Sequence, residues 1–418
     1  MRHAQLLRTC LLLLLLIFVS GFVTDARAQA IPENAGPLVG HTTSSSTSLW
    51  MYAKRGAAVK VVYGEAAGGA QMNAALAAID KPAGEIDGAI YKATLDRLKA
   101  DTTYRYSVSI DGQISADHTA TFKTAPKQSE PAKFRLAVTS CMKHGQKQGS
   151  WTLLLNEKPD MHLTLGDTQY SDTTNPSVQW RHHLRYRATP ELAEVNRNVP
   201  TYAMWDDHDY GPNNSDGTAK GKEKSLAGWA QIWANPPQGT NDTPGAFFSY
   251  TWGEVEFFIV DGRYHRSPDK HPDDDTKRML GDAQFAWLVD GLNNSKAKFK
   301  VIASGSTLHD SKSDGWRIYT FSRHRLFDAI KTNKIGGVVY MSGDIHRSRV
   351  WEHHESDRVG YPLVEVISSG VANSKNLSFA TVDFDTTADD PTMRVRIIHG
   401  EGKTHVDQTW KLSDLQVK

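Results

Sequence analysis

The chain has 418 residues, and its 48 Lys and Arg against 47 Asp and Glu give a formal net charge of +1. No basic stripe interrupts that balance, which argues against nucleic acid or an anionic membrane as the main partner. A chain of this length exceeds one ordinary hydrophobic core, so two domains are expected.

Arg2 and Arg8 lead into an apolar run from Leu11 to Val23, followed by Ala26-Arg27-Ala28. This is the pattern of a secretory signal peptide over 1–28, cleaved after Ala28. The run is shorter than the ~20 residues of a spanning helix, and nothing later resembles one. The mature protein is therefore expected to be secreted or periplasmic, with no membrane span. No adjacent arginine pair precedes the run, so a Sec-type route is expected rather than a twin-arginine one. Cys10 leaves with the signal, and Cys141 remains as the single thiol. In an oxidising compartment a lone thiol needs burial or a ligand.

From Leu38 to Lys123, "SLWMYA", "VKVVYG", "YKATLDRL" and "TYRYSVSIDG" alternate apolar with polar residues between Gly, Asp and Ser. Short strands at this spacing predict an all-β sandwich over 31–126. "LKADTTYRYSVSIDG" followed by "TFKTAP" resembles the closing strands of fibronectin type III modules. "TAPKQSEPAK" reads as a linker, and 132–418 as a second domain.

After Phe134 apolar strands alternate with helical stretches, the pattern of a layered α/β domain. "FRLAVTSC" ends at Cys141, "MHLTLGD" at Asp167, "PTYAMWDDHD" in an acidic cluster, "VEFFIVDGR" at Asp261, and "GGVVYMSGDIH" at His346. Between them "SWTLLLNEK" predicts a helix with Ser150 as N-cap. "DAQFAWLVDGL" predicts another, with Phe285, Leu288, Val289 and Leu292 on one face. "FATVDFD", "MRVRIIHG" and "HVDQTWKL" predict closing strands. The loops Ser215 to Pro244 and His309 to Tyr319 are expected to set specificity.

Singly, each strand-end residue has an ordinary explanation: a buried thiol, a Gly-Asp turn, a packed tyrosine, a solvated acidic run. Together they place Cys141, Asp167, Tyr170, Asp206, Asp207, His208, Asp344 and His346 at one rim of a sheet, where an α/β ligand site lies. Carboxylates converging there repel one another unless cations compensate. Thiolate, phenolate, imidazole and carboxylate suit ferric iron, whereas surplus carboxylates and amides suit calcium or magnesium. A mixed two-metal site is expected, of the kind that clamps an in-line displacement at phosphorus.

"LTLGDTQY", "WDDHDYGPNN" and "MSGDIH" resemble three signature blocks of the calcineurin-like metallophosphoesterases, and more narrowly the alkaline phosphatase D (PhoD-like) family. "LGDAQFAWLVDGLNNSKAKFKVI" extends the resemblance over nearly the whole mature chain. The resemblance implies a layered metallophosphoesterase sandwich and an exported phosphoesterase. Its reaction is attack of a metal-bridging hydroxide on a small-molecule or polymer phosphate ester, without a phosphoenzyme. It implies Fe(3+) and Ca(2+) as cofactors. Asp167 would bridge the metals, with Tyr170, His346 and Cys141 completing the iron shell. Asp207 and Asp344 would face calcium, and Asp206 and Asn213 would ligate or orient the others. His208 would stabilise the transition state or protonate the leaving oxygen. The block "VIASGSTLHD" departs from the superfamily, because His309 follows Ser304, Ser306 and Thr307 instead of standing at the strand end. Arg263 either meets a phosphate oxygen or pairs with a carboxylate such as Asp261. His182, His183, His353 and His354 are expected on surface stretches and not as ligands. A phosphodiesterase or phospholipase D-like enzyme on the same scaffold is the alternative activity. A non-catalytic extracellular binding protein is the alternative of another class.

Overall fold

The computed structural model describes residues 31–79, 81–309 and 313–418, so the signal-peptide assignment over 1–28 lies outside the described residues. The first strands are β1 (Ala35–Thr42), β2 (Thr47–Ala53), β3 (Val59–Glu65), β4 (Met72–Ala75), β5 (Ala77–Ala78), β6 (Ala89–Leu95), β7 (Thr103–Ile110) and β8 (Gln113–Lys123). They form two four-stranded sheets, β1-β2-β6-β5 and β4-β3-β7-β8. Alternation carries the pairing. Val59, Val61 and Tyr63 of β3 point inward, as do Tyr104, Tyr106 and Val108 of β7. They close one core with Val39, Leu49 and Met51 from the facing sheet.

The remainder holds β9 (Lys133–Thr139), β10 (Met161–Leu165), β11 (Thr201–Met204), β12 (Phe248–Trp252), β13 (Val255–Ile259), β14 (Phe299–Ala303), β15 (Val338–Ser342), β16 (Arg349–Glu352), β17 (Val364–Ile367), β18 (Ser378–Asp385), β19 (Thr392–His399) and β20 (Thr404–Lys411). Its helices are α1 (Ser150–Asn156), α2 (Pro176–Arg187), α3 (Pro190–Asn198), α4 (Asp207–Tyr210), α5 (Lys222–Ile232), α6 (Asp282–Asn294), α7 (Thr320–Thr332) and α8 (Ser356–Val359). The strands make two six-stranded sheets, β11-β10-β9-β18-β19-β20 and β12-β13-β14-β15-β17-β16. The strand ends therefore belong to two facing sheets, where the sequence suggested the rim of one.

Parallel pairing runs through β9, β10 and β11 in one sheet and through β13, β14, β15 and β17 in the other. Every residue of β10, β14 and β15 is buried. Such continuous burial suits strands covered on both faces. Leu136, Val138 and Leu163 of one sheet share a core with Phe257, Ile259 and Val301 of the other. α2 starts on Asn175, whose side chain accepts from the Ser177 N–H, with Pro176 at its first position. Gly149, not Ser150, holds the N-cap of α1.

A separate apolar cluster joins the halves of the chain: Leu38, Trp50 and Tyr52 pack with Trp180, Trp205, Trp229 and Trp233. There the Arg187 guanidinium lies between Trp50 and Trp233, 4.2 and 4.4 Å from the ring centres, a stacking arrangement open to a planar cation. No helix among the described residues is long and apolar enough to cross a membrane.

Candidate metal centre

Each strand that meets the site ends and then turns sharply. Cys141 follows β9, Asp167 follows β10, and Asp344 and His346 follow β15; all four have positive φ, between 53° and 71°. Side chains rarely adopt that conformation, which costs about 1–2 kcal/mol per residue and collects at functional sites. Close approach explains two glycines here. A Cβ on Gly166 would lie 2.5 Å from Asp206 Cβ, and one on Gly305 would lie 2.4 Å from Asp206 Cγ. Asp206 is thus held between two backbones.

The side chains converge. Cys141, Asp167 and His346 each offer a ligand atom within 4.8 Å of the others, and so do Asp167, Asp207 and His208. Asp167 belongs to both groups. Its Oδ2 lies 3.4 Å from Cys141 Sγ and 3.3 Å from Tyr170 Oη. Tyr170 Oη lies 3.4 Å from His346 Nε2. Among the described residues, Asp167 Oδ1, Asp206 Oδ2 and Asp207 Oδ1 are buried without a hydrogen-bond partner. Buried carboxylate oxygens are rarely left so, and a cation is the natural partner.

The electrostatics agree. Burial, reinforced by Cys141, Asp207, Asp206 and Asp209, holds the Asp167 carboxyl well above its usual range. Asp344 is raised likewise by burial and by Asp206, Asp314 and Asp207. Burial also lifts the Cys141 thiol to about 11 and the Tyr170 phenol above its usual value. Burial pushes Asp207 upward too, but Arg263, His208 and the Asn214 N–H more than offset it. Protein charges alone would thus keep much of the donor set protonated. Bound cations reverse that preference. The residues fit a metal centre by donor chemistry and by their unpartnered oxygens.

His208 sits at the rim. Its Nδ1 lies 2.5 Å from Asp172 Oδ1, and its ring centre is 4.2 Å from that of Tyr170. A carboxylate only accepts, so Nδ1 carries a proton and Nε2 is left for the site.

Arg263 is placed differently from a phosphate clamp. Its side chain is 0% exposed and ion-paired to Asp206 at 2.6 Å and Asp314 at 2.6 Å. Asp261 accepts from the Arg263 backbone N–H and not from the guanidinium. Both carboxylates already occupy the planar fork, so Arg263 shapes the site through Asp206. Asn213 is exposed on its loop and donates to Asn214 Oδ1, while the Asn214 N–H donates to Asp207 Oδ2. The neighbour, by its backbone, touches the cluster. Asp209 accepts from the Thr168 and Gln169 N–H groups and the Thr168 hydroxyl, tying the Asp167 loop to α4. His183 and His353 are buried, contrary to the surface expectation. His309 meets Trp351 and His353 edge to face and lies tilted against His354.

Several partners were not evident from the sequence. Asn373 Nδ2 donates to Tyr170 Oη at 2.8 Å and lies 3.1 Å from His346 Nε2. Ser369 Oγ lies 3.0 Å from Cys141 Sγ and accepts from the His346 N–H. Both follow β17, another strand exit, which was the available signal.

Facing six-stranded sheets with a ligand cluster at their strand exits define a layered phosphatase-type fold. A solved structure of PhoD has this fold, with TM-score 0.71 and 16% identity, covering 91% of this chain and 93% of that one. So has purple acid phosphatase PPD1 from yellow lupin (Lupinus luteus) seeds, with TM-score 0.68 and 12% identity over 90% of this chain and 74% of that one. Residues 136–411 match the family model of the PhoD-like phosphatases, and the chain belongs to that family. Alkaline phosphatase D of Bacillus subtilis (strain 168) is 24% identical over 311 residues, or 60% of this chain. The chain spans 52% of that relative's length.

Proposed function

We propose that the protein is an exported, metal-dependent phosphoesterase that cleaves phosphate esters without a covalent phosphoenzyme. The observation that carries this reading is Asp167, shared by two ligand groups whose donor atoms lie within 4.8 Å. Cys141, Tyr170 and His346 with Asp167 form a donor set suited to ferric iron. Asp207 and Asp344, with Asp167, would supply an oxygen set suited to calcium. Bound there, the two cations would supply an activated water and neutralise charge gathering on the phosphoryl oxygens.

The chain's own residues then have distinct tasks. Asp206, clamped by Arg263 and the glycine backbones, fixes the start of α4 and with it Asp207. Asp172 accepts from His208 Nδ1–H and so fixes the ring. As the imidazolium, His208 would carry a second proton on Nε2 and give it to the departing oxygen, returning to the neutral Nδ1–H form. Asn373 orients Tyr170 and His346 from outside. The same residues serve a monoester or a diester, so hydrolysis of p-nitrophenyl phosphate and bis(p-nitrophenyl) phosphate is the direct assay. Activity on at least one, lost to chelators and restored by iron with calcium, is the expected result. Undiminished hydrolysis after complete metal removal would sink the reading.

Export rests on 1–28, and the secreted protein is expected to begin just after Ala28 on N-terminal sequencing; an intact Met1 contradicts this. The strand orders β1-β2-β6-β5 and β4-β3-β7-β8 support an immunoglobulin-type, fibronectin III-like reading of 31–126. A solved structure with another strand order would overturn it.

A further inference from the structure

The space beside His346 has a charge of its own. A cavity of about 770 Å³ opens there, lined by Lys147, Arg347 and Lys375 together with His346 and Asn373. None of the described residues that line it is acidic. Arg347 follows His346 directly, and Lys375 lies two residues beyond Asn373. The cations are therefore tethered to groups that touch the centre, since Asn373 donates to Tyr170 Oη. Lys143 adds a further charge near this rim, its Nζ 5.4 Å from the Tyr170 ring centre. On the other side, the smaller cavity past Asp172 sets Asp172 and Asp216 against Lys220, so its lining is not basic. The approach to the centre is electrostatically lopsided. Cations gathered in a concave wall attract and orient anions.

We propose that this cavity is an anion-binding subsite, and that the preferred substrates are phosphate esters bearing a second anionic group, phosphate or carboxylate. This rests on the phosphoesterase reading above. The Lys147 and Lys375 ammoniums act as mobile point charges that accept either group. With the scissile phosphate at the Asp167 cluster, the second anion lies over the His346 side.

The test compares a hexose bisphosphate with the corresponding hexose monophosphate, by phosphate release. In the wild type, kcat/KM is expected to favour the bisphosphate by about tenfold or more, the combined effect of several exposed charge contacts. In the Lys147→Gln/Lys375→Gln variant that ratio falls toward one, through KM. High ionic strength compresses the preference in the same way. Equal kcat/KM for the two substrates, or a ratio the variant leaves unchanged, overturns the subsite. Calorimetric binding of both compounds to wild type and variant reads the subsite without turnover. If neither hexose ester is hydrolysed, the p-nitrophenyl substrates decide the phosphoesterase reading and binding decides the subsite. Tighter binding of the bisphosphate that the variant loses still supports the subsite, and equal binding contradicts it.

Discussion

Asp206 and Asp207 are adjacent in the chain and share Arg263, but unequally. Asp206 is gripped by it at 2.6 Å and by two glycine backbones, while Asp207 Oδ1 lies 3.6 Å from it without a hydrogen bond and Oδ2 takes the Asn214 N–H. Removing the Arg263 charge leaves Asp206 buried and uncompensated, while Asp314 keeps Arg266, at 2.8 Å. Arg263→Met is therefore expected to lower stability by about 3–5 kcal/mol, read as a fall in chemical-denaturation free energy. Unchanged stability with a raised KM would instead mark Arg263 as a phosphate contact. Tyr170 offers a second test at this scale. If its phenolate binds ferric iron, the purified protein is coloured, and Tyr170→Phe loses most of the visible absorption while keeping its fold. A colourless, iron-loaded wild type contradicts that ligand assignment.

At the scale of elements, the site is a set of strand exits, and this decides what the sequence could reveal. Cys141, Asp167, Asp207, Asp344 and His346 were legible because each closes an apolar run. The layered α/β pattern after Phe134 was legible for the same reason. Periodicity within one strand cannot say which sheet the strand joins, so the division into two facing sheets was not visible. Arg263 had two open readings because its partner Asp314 lies 51 residues away on an irregular loop. Asp172 and Asn373 were missed because they act from loops with no repeating pattern. The loop after β14 carries its own prediction. A methyl at Gly305 would press on Asp206 Cγ from 2.4 Å, and backbone on both sides leaves little room to yield. Gly305→Ala should reduce bound metal per chain, measured by elemental analysis, more than it reduces secondary structure by circular dichroism. Full metal content in that variant would show that Asp206 can move without disturbing the centre.

For the whole molecule, buried histidines make stability depend on pH. Burial holds His162 down to about 3. Its ring lies between the hydroxyls of Thr139 and Thr201. Unfolded, the imidazole takes a proton near its ordinary value of about 6.5. The unfolded chain thus binds more protons between these values, and stability falls as pH drops through that window. The slope is about 1.4 kcal/mol per pH unit for one such group, and His162→Gln should flatten it in denaturation curves taken from pH 7 towards pH 4. An identical slope in the variant would assign the acid sensitivity to other groups. The central claim is that this fold brings donors from both facing sheets around one shared carboxylate, Asp167. Elemental analysis of purified wild type and Asp167→Asn tests it most directly. Two kinds of metal in the wild type, iron and calcium, with both sharply depleted in Asp167→Asn, is the result the two-metal reading predicts. A wild type that binds no stoichiometric metal, or an Asp167→Asn variant that retains both, would contradict it.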